Sequence, residues 1–150
     1  MKLDYQLNSI EEGKAIKTIL GLDPGRDKCG LAIARKGAIL HHQVVDSSSA
    51  IATIRDLFKK YDVDLIVMGD GTTSKDWCEK IKASSIENLS VVTVNERNST
   101  LEARDRYWLM YPPKGLQRIV PPGLRVPPCP VDDIVAILLI ERYLSSLVDN

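Results

Sequence analysis

Apolar and polar positions follow two different rhythms along this chain. After a polar, irregular stretch over residues 1–16, the pattern predicts strands at Thr18–Leu22, Cys29–Ala34 and Ala38–Val45. The joints between them, "DPGRDK" and "RKG", are short and turn-prone, so these strands should form an antiparallel meander. Ser47, Ser48 and Ser49 then offer a helix cap, and Ile51, Ile54, Leu57 and Phe58 recur at helical spacing. Asp64–Met68 ("DLIVM") reads as a buried strand, and "GDGTTS" as a turn before a helix over Ser74–Ala83. A fifth strand is expected at Leu89–Val94, then a helix from Thr100 to about Trp108 with Ser99 or Thr100 as its cap.

Seven of the eight prolines lie between Pro112 and Pro130, a density that neither a helix nor a central strand survives. Residues 111–130 are therefore expected to be an extended loop. The last helix should run from near Val131 to about Leu147, and its first half, "VDDIVAILLI", is apolar nearly all round, as a helix buried against a sheet must be. The whole reads as one domain, β-β-β-α-β-α-β-α-loop-α. Right-handed crossovers would set strands four and five beside strand one, giving a mixed sheet with helices on both faces. The ends of strands one and four then adjoin, which is where sites gather in such sheets.

Composition narrows the class. With 150 residues, 44% apolar and 27% charged, the chain is an ordinary globular one, and no aliphatic run approaches a membrane span. The N-terminal stretch carries Asp4, Glu11 and Glu12 and no apolar core, so no signal peptide is expected. Cys29, Cys78 and Cys129 are odd in number and widely spaced, as suits reduced thiols in the cytoplasm. Net charge is zero but uneven: from Arg97 to Arg125 there are six bases (Arg97, Arg104, Arg106, Lys114, Arg118, Arg125) and two acids. Tyr107, Trp108 and Tyr111 lie among them, a mixture that suits phosphates and unstacked bases. A solvated helix face with a core-seeking Trp gives the same pattern.

Three acids occupy telling positions. Asp23 ends strand one in "ILGLDPGRDKCGLAIA", Glu96 follows strand five in "VVTVNERNST", and Asp132 opens the buried last helix beside Asp133. If that helix crosses strand one, all three can converge at one sheet edge. Crowded carboxylates repel unless a cation neutralises them, and Mg²⁺ takes hard oxygen ligands. Each acid also has a plainer role: Asp23 as a turn residue, Glu96 as a partner of Arg97 or of a neighbouring helix, Asp132 as a helix N-cap or first-turn acid. His41 and His42 are adjacent on a strand and point to opposite faces, which disfavours a joint metal site. Asp70, between two glycines, reads as a turn residue.

These stretches together resemble a known family. "ILGLDPGRDKCGLAIA", "VNERNSTLEA" and "VDDIVAILLIERYL" are similar, in order, to the motifs of the YqgF-like Holliday junction resolvases within the RuvC-like, ribonuclease H-like nucleases. The resemblance spans residues 18–147. It implies a ribonuclease H-like fold, with three antiparallel strands followed by helix-linked parallel strands in a five-stranded mixed sheet. It implies a metal-dependent endonuclease using Mg²⁺, with Mn²⁺ as the alternative ion, on Holliday junction DNA or a small-subunit ribosomal RNA precursor. The family's carboxylates fall on Asp23, Glu96 and Asp132, its arginine on Arg97, and its close-approach glycines on Gly25 and Gly30. RuvC-like relatives use two acids in the last helix, which leaves Asp133 open as a further ligand. Partners are then DNA or RNA, contacted by Arg97, Arg104, Arg106, Lys114 and Arg118, with a homodimer as an open alternative and no membrane.

The chain departs from the family in three places: Asn95 where Asp is usual, "MGDGTTSK" with Asp70 where a proline is usual, and the proline-rich segment. A non-catalytic nucleic-acid binding module on the same fold is the competing expectation. A phosphate loop of the actin and sugar-kinase kind also follows a strand as Asp-x-Gly, but those proteins enclose a nucleotide between two such lobes.

Overall fold

The computed structural model describes residues 18–86 and 89–149, so the expected lead-in over residues 1–16 lies outside the described residues. Strands β1 (Thr18–Asp23), β2 (Lys28–Arg35) and β3 (Ala38–Asp46) form the meander, and helix α1 covers Ala50–Tyr61. Strand β4 (Leu65–Gly69), helix α2 (Ser74–Ala83), strand β5 (Val91–Val94), helix α3 (Ser99–Met110) and helix α4 (Asp132–Val148) complete the order. The sheet runs β3-β2-β1-β4-β5, with β1 antiparallel to β2 and parallel to β4. This is the mixed sheet expected from the pattern, in the five-stranded ribonuclease H-like arrangement that the resemblance implies.

Turn chemistry sets the meander. Lys36 and Gly37 both take positive φ, 47° and 76°, the two-residue geometry that matches the twist of β2 and β3. The parallel pairing of β4 on β1 follows from the α1 crossover.

Two apolar layers sandwich the sheet. Side chains alternate along β1: Leu20 and Leu22 join Ile54, Leu57, Trp77 and Ile81 of α1 and α2 on one face. Ile19 joins Ala32, Val67 and the α4 residues Ile134 to Ile140 on the other. Helix α4 is the central element of that second layer: Ile134 through Ile140 and Leu144 are all buried. At ~1.5–3 kcal/mol per large apolar side chain, its burial fixes the helix on the sheet.

Local details differ from the sequence expectations. The serine cluster forms a short 3-10 turn, Ser47–Ser49, without capping α1 through a side chain. Instead the Ser47 hydroxyl donates to the Gly25 carbonyl at 2.9 Å, and the Ser47 N–H donates to the Asp27 carbonyl at 2.8 Å, fastening the β1–β2 turn. Helix α3 begins a residue earlier, at Ser99, and its cap position is Asn98 at φ 59°, not Ser99 or Thr100. Asn tolerates that left-handed conformation, which lets the chain leave β5 and enter the helix abruptly. The proline-rich stretch contains two 3-10 turns, Gly115–Arg118 and Pro122–Leu124, where one extended loop was expected. Single 3-10 turns need only isolated i→i+3 bonds, which proline spacing permits.

Candidate active site

Period-two alternation decides where Asp23 points. Ile19 faces α4, so Gly21 and Asp23 face it as well. Asp23 pairs across the sheet with Gly30, and a side chain at Gly30 would overlap the Asp132 carbonyl and the Asp133 nitrogen. One helical turn on, a side chain at Gly21 would overlap the Ala136 carbonyl. The backbone of α4 therefore lies directly on β1 and β2, and it can do so because those two positions lack a Cβ. This contact brings the Asp132 carboxyl to hydrogen-bond distance from Asp23.

The crowding has an electrostatic result. Burial, then the Asp132 charge, then the Glu96 charge push the Asp23 carboxyl up from the ordinary carboxylate range to about 8. Asp23 thus holds a proton at neutral pH unless a cation enters.

Glu96 comes from the loop after β5 and reaches the end of β4. Its carboxylate lies against Gly69 and Gly71, close enough that a side chain at either glycine would overlap it, and it accepts a hydrogen bond from the Gly71 N–H. Asp70 accepts from the Glu96 N–H at 3.2 Å, so the departure from the usual proline supplies an anchor for this loop. Burial and the Asp70 charge raise the Glu96 carboxyl. The carboxylate is engaged at this turn. Among the described residues, no three Asp, Glu, His or Cys side chains stand close enough as placed to hold a metal ion. The donor set nonetheless suits a hard cation in kind: Asp23, Asp132 and Glu96 are all carboxylates, and burial together with the Asp132 and Glu96 charges holds the Asp23 carboxyl high.

Arg142, unmarked in the sequence reading, links the two halves of the site. From α4 it donates to the carbonyls of Asn95 at 2.6 Å and Arg97 at 2.9 Å, and it pairs with Glu102 at 3.1 Å. It ties the loop bearing Glu96 to the helix bearing Asp132. A cation on an amphipathic helix carries no signal of such a partner, so only folding reveals it.

The other anticipated residues separate. Asp133 turns to β3, where its Oδ2 lies 2.7 Å from His42 Nδ1, and its Oδ1 accepts from the Ile134 N–H at 2.9 Å. His41, on the opposite face, stacks on Tyr61 with its Nε2 buried and unpartnered, as adjacent strand positions require. Gly25 closes the β1–β2 turn, where a side chain would overlap the Lys28 carbonyl. Arg97, Arg104 and Lys114 are exposed, and among the described residues none of them forms an ion pair. Arg106 forks onto Glu141 at 2.9 and 2.7 Å and holds α3 to α4. Arg118 is exposed, and its Nε donates to the Pro113 carbonyl at 3.3 Å.

A mixed sheet in this order, crossed by a helix that delivers an acid onto the acid ending β1, defines a member of the ribonuclease H-like fold. The chain belongs to the family of the Tex protein YqgF-like domain, whose model matches residues 17–103. That match includes Asp23 and Glu96 and ends before α4. Two solved structures share the fold across nearly their full lengths. RuvC of Thermus thermophilus in complex with a Holliday junction substrate is 16% identical, covering 88% of this chain and 96% of that one at a TM-score of 0.53. The fowlpox virus Holliday junction resolvase is 17% identical, covering 88% and 98% at a TM-score of 0.52. No curated protein matches the chain. Among the described residues no helix is long and apolar enough to cross a membrane.

Proposed function

We propose that residues 18–149 form one nuclease domain that hydrolyses phosphodiester bonds in structured nucleic acid with a divalent metal ion. The observation that carries this reading is the Asp23–Asp132 carboxyl pair, seated on the sheet by Gly30 and Gly21 and left short of positive charge. Asp23, Asp132 and Glu96 would hold the ion, Mg²⁺ by its preference for carboxylate oxygen, or Mn²⁺. Bound there, such an ion supplies activation of water and stabilisation of charge on the leaving oxygen. The chain's own residues orient it: Gly30 sets the helix height, Arg142 holds the Glu96 loop to α4, and Asp70 fixes the Glu96 backbone. Arg97 and Arg104, both exposed, would meet phosphates, with Lys114 and Arg118 further along.

Branched DNA is the first substrate to test, because the fold matches resolvases and RuvC is seen with a junction; a small-subunit ribosomal RNA precursor is the second. The parent is expected to cleave one of them with Mg²⁺ or Mn²⁺ and not with EDTA. Asp132→Asn should lose cleavage by roughly 10²–10³-fold, the scale of removing one charge-stabilising group. Val131, not Asp132, holds the cap position of α4, so Asp132→Asn removes only a first-turn charge worth ~0.3–1 kcal/mol; relief of the Asp23–Asp132 repulsion opposes that loss, and the melting temperature without metal should stay near the parent's. Equal cleavage by Asp132→Asn would reduce Asp132 to a first-turn acid. The engagement of Glu96 at the β4 turn favours a second reading, a binding module without catalysis. That reading takes over if the parent binds these nucleic acids and cleaves neither with either ion.

A further inference from the structure

Beside the carboxyl pair, on the α3 side of α4, is a cavity of about 240 Å³ lined by Tyr107, Tyr111, Cys129, Pro130, Asp133 and Ile134. It lies below the ~300–1,000 Å³ of pockets that bury a drug-sized ligand, so its scale is that of one flat ring system. Its walls are mostly aromatic and apolar. The Tyr107 and Tyr111 rings are 5.1 Å apart and tilted by 43°, and Tyr107 is braced edge-on by Trp108 at 5.0 Å. Tyr107 and Cys129 both line the cavity, so the last turns of α3 and the segment entering α4 form its opposite walls. Tyr111 is 47% exposed, so an apolar ring stands at the mouth with a face open to solvent.

Charge selects the occupant. Between Arg106 and Val131 the sequence has Lys114, Arg118 and Arg125 and no acid. The segment bordering the cavity therefore attracts a polyanion, while the cavity walls present mainly rings and apolar groups, the Asp133 carboxylate being engaged by His42 and the Ile134 N–H. A phosphate belongs outside and an uncharged ring inside. The cavity borders the first turn of α4, the turn that also carries Asp132.

We infer that this cavity receives one unstacked nucleobase of the bound strand, stacked on Tyr111 and Tyr107, holding the neighbouring phosphodiester toward Asp23 and Asp132. This rests on the nuclease reading above and adds to it a base subsite outside the carboxylate cluster. Stacking of a base on an aromatic side chain is sequence-tolerant, and its loss weakens binding by ~5- to ~150-fold per base.

The test is equilibrium binding, without divalent metal, of a single-stranded DNA oligonucleotide and of the same sugar–phosphate chain made fully abasic. Tyr111→Ala should weaken binding of the intact oligonucleotide ~5- to ~150-fold and leave binding of the abasic chain unchanged, and Tyr111→Phe should bind both as the parent does. Since Tyr111 is half exposed, its replacement should spare the fold, checked by an unchanged melting temperature. If the parent binds the oligonucleotide and Tyr111→Ala binds it equally well, or loses both probes alike, the subsite is overturned while the nuclease reading stands. If the parent binds neither probe, the base subsite is overturned, and the nuclease reading is decided separately by cleavage of branched DNA and the RNA precursor.

Discussion

Two regions of this molecule use glycine, proline and arginine in opposite ways. Where α4 meets β1 and β2, glycines remove side chains so that backbones touch, and the apolar residues around them, from Ile134 to Ile140, are buried. In residues 111–130, Leu116, Ile119, Leu124 and Val126 are each more than 70% exposed, and glycines 115 and 123 have open space around them. That segment is held by side chain to backbone bonds instead: Arg125 donates to the carbonyls of Gln117, Val120 and Arg118. One region is specified by packing, with little tolerance for added volume. The other is a fastened surface segment that leaves apolar and basic groups facing outward. The difference separates a region fixed by backbone contact from one whose surface groups stand open to a partner.

The largest break in this comparison is expected from charge at the packed end. An Asp held protonated in the native state and ionised in the unfolded one stabilises the fold most at low pH. That contribution is full below about pH 4, the unfolded value, and is lost as pH rises through about 8. Stability of the metal-free protein should therefore fall across that window by up to ~1.4 kcal/mol per pH unit. Asp23→Asn should flatten the decline, and Mg²⁺ should oppose it at pH 8 in the parent but not in the variant. Denaturant unfolding at several pH values measures this, and an unchanged pH dependence in Asp23→Asn would remove Asp23 as its source.

Next in size is volume. Gly30→Ala puts a methyl group into the α4 backbone and should cost at least ~1–3 kcal/mol, the scale of overpacking. Gly123→Ala, where nothing lies within 4 Å, should be neutral or stabilising by up to ~1 kcal/mol. Equal effects at the two positions would erase the contrast between the regions.

The basic residues divide the same way. Arg106→Ala leaves the half-buried Glu141 unpaired and should lower stability by ~1–3 kcal/mol. Arg104→Ala with Arg118→Ala should leave stability nearly unchanged and reduce the salt slope of nucleic-acid binding by about 2, one per phosphate contact. A slope that moves with Arg106 alone would reverse this assignment. Smallest is Arg125→Ala: amide exchange should speed up within 111–130, with little change in β1 or α4.

Much of the fold was legible because it rests on local rules. The meander follows from "RKG" and strand alternation, α2 lies where a helix from about Ser74 to Ala83 was expected, and the apolar run after Asp133 marked α4 as buried. The tie between Asp23 and Asp132 was also within reach, since an acid at a strand end and an acid opening a buried helix meet if the helix crosses the strand. Other features were invisible. Gly21, Gly69 and Gly71 read as ordinary strand and turn glycines, yet they make room for the Ala136 carbonyl and the Glu96 carboxylate. Asp133 read as a further ligand, and its side chain pairs with His42, 91 residues away.

The sequence by itself determined the order of elements, the faces of each strand and the candidate acids, because hydrophobic period and turn chemistry act over a few residues. Tertiary structure alone decided which acid meets which, that Arg106 and Arg142 serve as ties within the fold, and that Glu96 rests on the β4 turn. Those outcomes depend on how closely backbones approach and on which charges share a buried space. Both are properties of pairs far apart in the chain, and no local pattern encodes them.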